Sequence, residues 1–265
     1  MQSNGHSISW ETGDVPRSSL FNDTFYTRRN GQAETAYVFV DGNGLPGRWA
    51  GAGRFTIGEL GFGTGLGFLE TWRRWIETRS PSQCLVFTSF EAYPMHADDM
   101  ARALEPWESL RALSGTLVSR WQARSTLAMP WQMDEQTQLH VMPGKAEASV
   151  ANWSGLADAW YLDGFAPDRN PAMWSPALMQ QVFDHTAAGG SFATYTAATR
   201  VRRHLQGAGF TVNKRKGFAG KREMMFGRRA PGPSTAGARS PPERVSPAAC
   251  RATVLQQAGL SKWRS

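Results

Sequence analysis

The chain has 265 residues, enough for one sizeable core, and although 41% are hydrophobic, none of its apolar runs reaches the ~18 to 20 residues of a membrane span. Its opening, MQSNGHSISWETGDV, has no basic flank leading into an apolar run, and two cysteines, Cys84 and Cys250, are too few for a zinc site or a disulfide framework, so a cytoplasmic, membrane-free setting is expected. The net charge of +7 is C-terminal in origin: Lys and Arg stand to Asp and Glu as 14 to 20 over residues 1–195, 8 to 1 over 196–227 and 7 to 1 over 228–265.

Along the chain, short apolar runs alternate with helix-length segments. Strands are expected near 54–60, 84–90, 139–142, 159–162 and 191–196, and helices after Gly65, around Met95, near Lys145, at Pro171 and at Ala197. The alternation predicts an α/β fold with a mostly parallel sheet. FTVNKRKG and KREMMFG, separated by FAG, read as a hairpin that ends the sheet in an antiparallel pair. Within this stretch RVRRHL and KRKGFAGKRE make a local positive surface, read either as the seat of a polyanionic partner or as a solvated basic face. Residues 228–265, rich in Pro, Gly, Ser, Ala and Arg, read as a disordered basic tail. The expected organisation is an N-terminal extension over 1–16, one domain over 17–227 and the tail.

The first expected strand runs into GELGFGTGLGF, which sets Gly61, Gly63, Thr64 and Gly65 at the turn before a helix. Glycines there let backbone approach a ligand, and the helix start offers N–H groups. A P-loop needs a Lys that is absent, and a dinucleotide fingerprint would place its third glycine at Leu66. Glu59, two residues before the first glycine, would repel a pyrophosphate but favour the ammonium and sulfonium of S-adenosylmethionine. Glu91, at the end of the second strand, can accept from the two ribose hydroxyls of any adenosine cofactor. A turn that binds no cofactor is the alternative.

The fourth strand ends in YLDGFAP, with Asp163 at its edge. Ligands of open parallel sheets bind beyond the carboxyl ends of the strands, so Glu59, Glu91 and Asp163 are expected to converge on one crevice. No His or Cys accompanies them in a ligand spacing, His140 and His185 having ordinary structural explanations, so no metal is expected. A local cap is the structural alternative for Asp163. An acid followed by a stiff turn with an aromatic resembles the Asn/Asp-Pro-Pro-aromatic strand end of methyltransferases that act on amino groups.

Five stretches resemble one family: NGQAETAYVFVDGN, IGELGFGTGLGFLETW, FTSFEAYPM, DAWYLDGFAPDRNPAMW and FATYTAATRVRRHLQGAGFTVNKRKGFAGKREMMFG, within residues 17–227. It is the methyltransferase domain of the bacterial bifunctional enzyme that makes 5-methylaminomethyl-2-thiouridine at the tRNA wobble position. The resemblance implies a class I, Rossmann-like, seven-stranded fold. It implies S-adenosylmethionine held by Glu59, Gly61, Gly63, Thr64, Gly65, Glu91 and Asp163, and as acceptor the amine of 5-aminomethyl-2-thiouridine. Asp163 would orient the amine and take its proton, Phe165 would pack on the uracil, and Pro167 would stiffen the turn. Tyr26, Asn30 and Glu34 would cover the site, and Arg202, Arg203, Lys214, Lys216, Lys221 and Arg222 would grip tRNA phosphates. No flavin is expected in this chain, and a separate flavoprotein would expose the amine. Lys145 stands where relatives carry an acid near adenine, Ala36 where they carry Arg, and Gly67 where they carry Asn. Methylation of another amine, or tRNA binding by a chain with a degenerate cofactor site, are the competing readings.

Overall fold

The computed structural model describes residues 7–27, 30–123 and 130–231; the expected tail lies outside the described residues from 232 onward. The chain opens with three short antiparallel strands, β1 (Ile8–Glu11), β2 (Val15–Ser18) and β3 (Asp23–Thr24), with Ile8 opposite Ser18, so this ribbon crosses the boundary expected at residue 16. A one-turn helix α1 (Gly31–Thr35) follows, capped by the Asn30 side chain, which accepts from the Ala33 N–H at 2.8 Å, and it continues as a wider π-helical turn over Ala36–Val40.

The main sheet is built from β4 (Arg54–Leu60), β5 (Cys84–Glu91), β6 (Trp131–Asp134), β7 (Thr137–Pro143), β8 (Ala157–Leu162), β9 (Thr186–Thr194), β10 (Thr211–Arg215) and β11 (Met224–Arg228), in the order β10-β11-β9-β8-β4-β5-β7-β6. The five central strands run parallel, and β11 pairs antiparallel with both β9 and β10, as the hairpin reading expects. Seven strands are those read from the sequence. The eighth, β6, joins antiparallel at the β7 edge through a register irregularity, and WQMD is too short and polar a run to announce it.

Helices α2 (Leu66–Thr78), α3 (Ala97–Leu104) and α4 (Arg111–Ala123) cover one face of the sheet; α5 (Ala146–Ala151), α6 (Pro176–Asp184) and α7 (Thr199–Ala208) cover the other. The period-2 alternation of the strands feeds both layers. Ile57, Phe87 and Tyr161 pack with Phe68, Trp72 and Trp75 of α2, while Leu60, Phe90, Trp160 and Leu162 pack with Val150, Leu178, Val182 and Leu205. At Pro171 the expected helix is a short 3₁₀ turn, Pro171–Trp174, and the α-helix starts at Pro176 with Ser175 as its N-cap. Each proline occupies the first helical position, where its missing N–H costs nothing. Among the described residues no helix is long and apolar enough to cross a membrane.

Candidate active site

Register brings the strand ends level: Leu60 of β4 lies opposite Phe90 of β5 and Leu162 of β8, so the residues that follow, Gly61, Glu91 and Asp163, emerge side by side. The connections from β4 and β8 diverge here, which opens a crevice at the carboxyl edge. It is a cavity of about 600 Å³. Gly61, Gly63 and Gly65 all have left-handed backbone, with φ of 91°, 54° and 81°. A Cβ on Gly61 would stand 2.6 Å from the Asp163 carbonyl oxygen, and one on Gly65 2.8 Å from Leu117. Both positions therefore require glycine on two counts. Phe62, between them, stacks on Trp121 of α4 at 5.1 Å, fixing the loop from outside.

Glu91 carries the loop on its carboxylate: Oε2 accepts from the Gly63 N–H at 3.0 Å and Oε1 from the Tyr93 N–H at 2.7 Å. Each oxygen has a second lone pair to offer, and Glu91 lines the cavity. Glu59 lies one layer beneath, 1% exposed, with Oε2 buried and without a hydrogen-bond partner. Burial, aided by repulsion from Asp163 and Glu91 and opposed by the Ser89 hydroxyl, pushes its carboxyl well above the ordinary carboxylate range. A buried acid left without a cation is what a site for an ammonium-bearing ligand requires. Helix α2, with no side-chain cap, leaves its first N–H groups facing the same cavity, which Thr64, Leu66 and Gly67 line. These residues fit S-adenosylmethionine. Lys145, preceding α5, lines the far side with Glu147.

The turn after β8 is held by four contacts, three of them from residues more than 30 positions away. The Tyr195 hydroxyl donates to the Gly164 carbonyl at 2.6 Å, the Trp174 indole to that of Phe165 at 2.9 Å, and Arg200 to that of Pro167 at 2.8 Å. The Ala166 N–H donates to Asp23 of the N-terminal ribbon at 2.9 Å. Phe165 stacks on Phe21 at 4.8 Å and meets Phe25 edge-on, so part of its ring already has a partner from the ribbon. Phe21 in turn meets Tyr93 edge-on, extending an aromatic wall along the cavity. Asp23, Phe21, Phe25, Tyr195 and Arg200 were not singled out in the sequence, and no spacing announces them.

Asp163 is enclosed by this arrangement, and its pKa rises to about 7, chiefly through desolvation, with Glu34 raising it further and Lys221 lowering it. Lys221, from the β10–β11 turn, bonds Glu34 of α1 at 2.7 Å, and its ammonium lies 5.0 Å from the centre of the Tyr195 ring. Burial and the neighbouring acids push the Tyr195 hydroxyl well up.

Of the residues read as site candidates, Gly61, Gly63, Thr64, Glu91, Asp163, Phe165, Glu34, Tyr26 and Lys221 line one cavity, whereas Glu59, expected to open on the same crevice, and Gly65 are not among its lining residues, Glu59 being buried beneath it. Tyr26 offers only its ring: its hydroxyl lies 2.9 Å from the Ala103 carbonyl, and burial with the charge of Asp14 pushes it up to about 12. Asn30 is spent on capping α1, and Pro167 is buried behind the turn. Arg202 and Arg203 on α7, and Lys214, Lys216 and Arg222 around the hairpin, lie outside the cavity, and Lys214 is paired with Glu223 at 2.8 Å. Among the described residues no group of three or more His, Cys, Asp or Glu is placed to hold a metal.

Residues 108–230 match a family described as S-adenosyl-L-methionine-dependent methyltransferase. The chain is 40% identical over 240 residues, 86% of its length, to the tRNA 5-methylaminomethyl-2-thiouridine biosynthesis bifunctional protein MnmC of Haemophilus ducreyi. It is 37% identical over 263 residues to the protein of that name from Chromohalobacter salexigens. It spans 36% and 38% of the length of these curated relatives. The fold is that of the crystal structure of MNMC2 from Aquifex aeolicus, with a TM-score of 0.69, 19% identity, and coverage of 88% of this chain and 74% of that one.

Proposed function

We propose that this chain, whose residues 108–230 match the S-adenosyl-L-methionine-dependent methyltransferases, methylates the primary amine of 5-aminomethyl-2-thiouridine at the tRNA wobble position, giving the 5-methylaminomethyl nucleoside. The observation that carries the reading is Asp163. An enclosed carboxyl with its pKa raised to about 7 opens on the same cavity as a glycine loop, in a chain 40% identical to a protein of that nucleoside's biosynthesis.

When bound, S-adenosylmethionine supplies an electrophilic methyl group on a sulfonium sulfur. Gly61, Gly63, Thr64 and Gly65, with the open start of α2, would cradle it. Glu59, whose Oε2 has no partner, would attract its ammonium from beneath the cavity floor, and the spare lone pairs of Glu91 would take its ribose hydroxyls. Asp163 accepts a hydrogen bond from the substrate amine and so aims the nitrogen lone pair. The substrate ammonium must lose one proton before its nitrogen can bond to carbon, and a carboxylate poised near neutrality is suited to take it. The four contacts on the 163–167 turn keep that carboxylate in place. Alignment of this kind is worth roughly 7 to 11 kcal/mol over free encounter. Phe165, braced by Phe21, would pack on the uracil, with Tyr93 extending the surface. Arg202, Arg203, Lys216 and Arg222 would follow the tRNA phosphates.

The amine would come from a separate flavoprotein, and both would act in the cytoplasm. The test is nucleoside mass spectrometry of tRNA carrying 5-aminomethyl-2-thiouridine after incubation with the protein and S-adenosylmethionine. One methyl gained on that nucleoside alone is expected; none gained by a protein that binds the cofactor in calorimetry overturns the assignment.

A further inference from the structure

Glu34 and Lys221, which both line the cavity, form an ion pair between its enclosed wall and its rim, and the reaction proposed above gives neither a chemical step. We propose that Lys221 is a built-in stand-in for the acceptor amine: its ammonium occupies the acceptor subsite of the free protein, and the incoming substrate amine displaces it from Glu34. Glu34 and Asp163 then make a two-carboxylate subsite for a primary ammonium. This inference rests on the functional reading above.

Three observations lead to it. The Glu34 side chain is only 11% exposed, and a carboxylate so enclosed needs a cation; Lys221 Nζ, at 2.7 Å, supplies it. The same ammonium faces the Tyr195 ring at 5.0 Å, and Tyr195 is bonded to Gly164, the residue after Asp163, so the cation sits against the catalytic turn. Lys221 itself is 43% exposed and follows a hairpin tip where Ala219 and Gly220 have left-handed backbone, φ 47° and 89°. The acid is therefore fixed in the site while its partner comes from the rim.

The chemistry of exchange is balanced. Lysine and the aminomethyl substituent both present a primary ammonium with three donors, so substitution of one for the other leaves the charge in the cavity unchanged, and the bound substrate ammonium then passes one proton to Asp163 to free the lone pair that the reaction uses. The displaced Lys221 rejoins the basic stretch that includes Lys216 and Arg222, where a tRNA phosphate can receive it. A base without an amine cannot displace Lys221, which makes the pair a selectivity device as well as a placeholder.

The test is calorimetric binding of two nucleosides, 5-aminomethyl-2-thiouridine and 5-methyl-2-thiouridine, with S-adenosylhomocysteine present to prevent turnover. Lys221→Met is expected to bind the amine nucleoside about fivefold more tightly, because the competent state no longer competes with a tethered cation, and to leave the methyl nucleoside unchanged. Glu34→Gln is expected to weaken the amine nucleoside alone. Because Lys221 is exposed, its variant carries the test even if Glu34→Gln fails to fold. Unchanged or weaker amine binding in Lys221→Met overturns the proposal while wild-type methylation of tRNA leaves the functional reading standing. A wild-type protein that neither binds the amine nucleoside nor methylates the tRNA overturns both.

Discussion

Replacing Asp163 by Asn should stabilise the protein while removing its activity, and the gain should depend on pH. In the folded chain the Asp163 pKa is raised from 3.8 to about 7, first by burial and then by Glu34, with the opposing effect of Lys221 included. A raised carboxyl binds its proton more tightly in the folded state, so its contribution to stability is full below the unfolded pKa and is lost as pH rises through about 7. Asp163 is only half-buried by its surface exposure, so at pH 8.5, with both states ionised, the charge costs at most about 4 kcal/mol; at pH 4.5 the cost falls to about 1 kcal/mol or less. Asn keeps the shape and carries no charge. Denaturant unfolding of Asp163→Asn against the parent should therefore show a gain of at most about 4 kcal/mol at pH 8.5 and about 1 kcal/mol or less at pH 4.5. Turnover should fall by at least about a hundredfold through loss of the proton acceptor, with S-adenosylmethionine affinity nearly unchanged. A gain equal at the two pH values would refute the reasoning, since it would show that Asp163 is not ionising in a desolvated site.

Other consequences follow from the same geometry. Methyl transfer at saturating substrate should rise with pH and level off above about 7 as Asp163 loses its proton; initial rates across that range will show whether the inflection exists, and a flat profile counts against Asp163 as proton acceptor. Gly61→Ala would force a Cβ to 2.6 Å from the Asp163 carbonyl on a backbone at φ 91°, and should cost about 1 to 2 kcal/mol for the conformation alone and abolish cofactor binding in calorimetry. Arg200→Ala, which frees the Pro167 carbonyl, should lower kcat severalfold and leave cofactor affinity alone; parallel loss of both would mean a general structural role. tRNA binding should weaken steeply with salt, and Arg222→Ala should reduce that slope by about one phosphate contact, whereas Lys214→Ala, already neutralised by Glu223, should reduce it less.

The strands of the parallel core and the final hairpin were legible because apolar runs bounded by turn residues survive in any tertiary setting, and β4 falls on the run that announces it. The glycine loop and Asp163 were legible for a related reason: both sit at strand ends, and the parallel topology alone dictates that such ends share a crevice. β6 was not legible, being four residues with little pattern at a sheet edge. α4 was not legible either: Leu113, Leu117 and Trp121 do recur at helical spacing, but Gly115 and the serines between them weaken the helix signal of the segment.

What the sequence determined by itself was the α/β class, the glycine loop at the end of β4 and the acid beside it at the end of β8, because each depends on local pattern and on rules that hold for every parallel sheet. What only the tertiary structure decided was the environment of that acid. Glu34, Asp23, Tyr195 and Lys221 reach it from four segments far apart in the chain. Asp23 and Tyr195 pin the turn that carries it, burial and the charges of Glu34 and Lys221 set its proton affinity, and desolvation is a property of three-dimensional packing that no spacing of residues along the chain encodes.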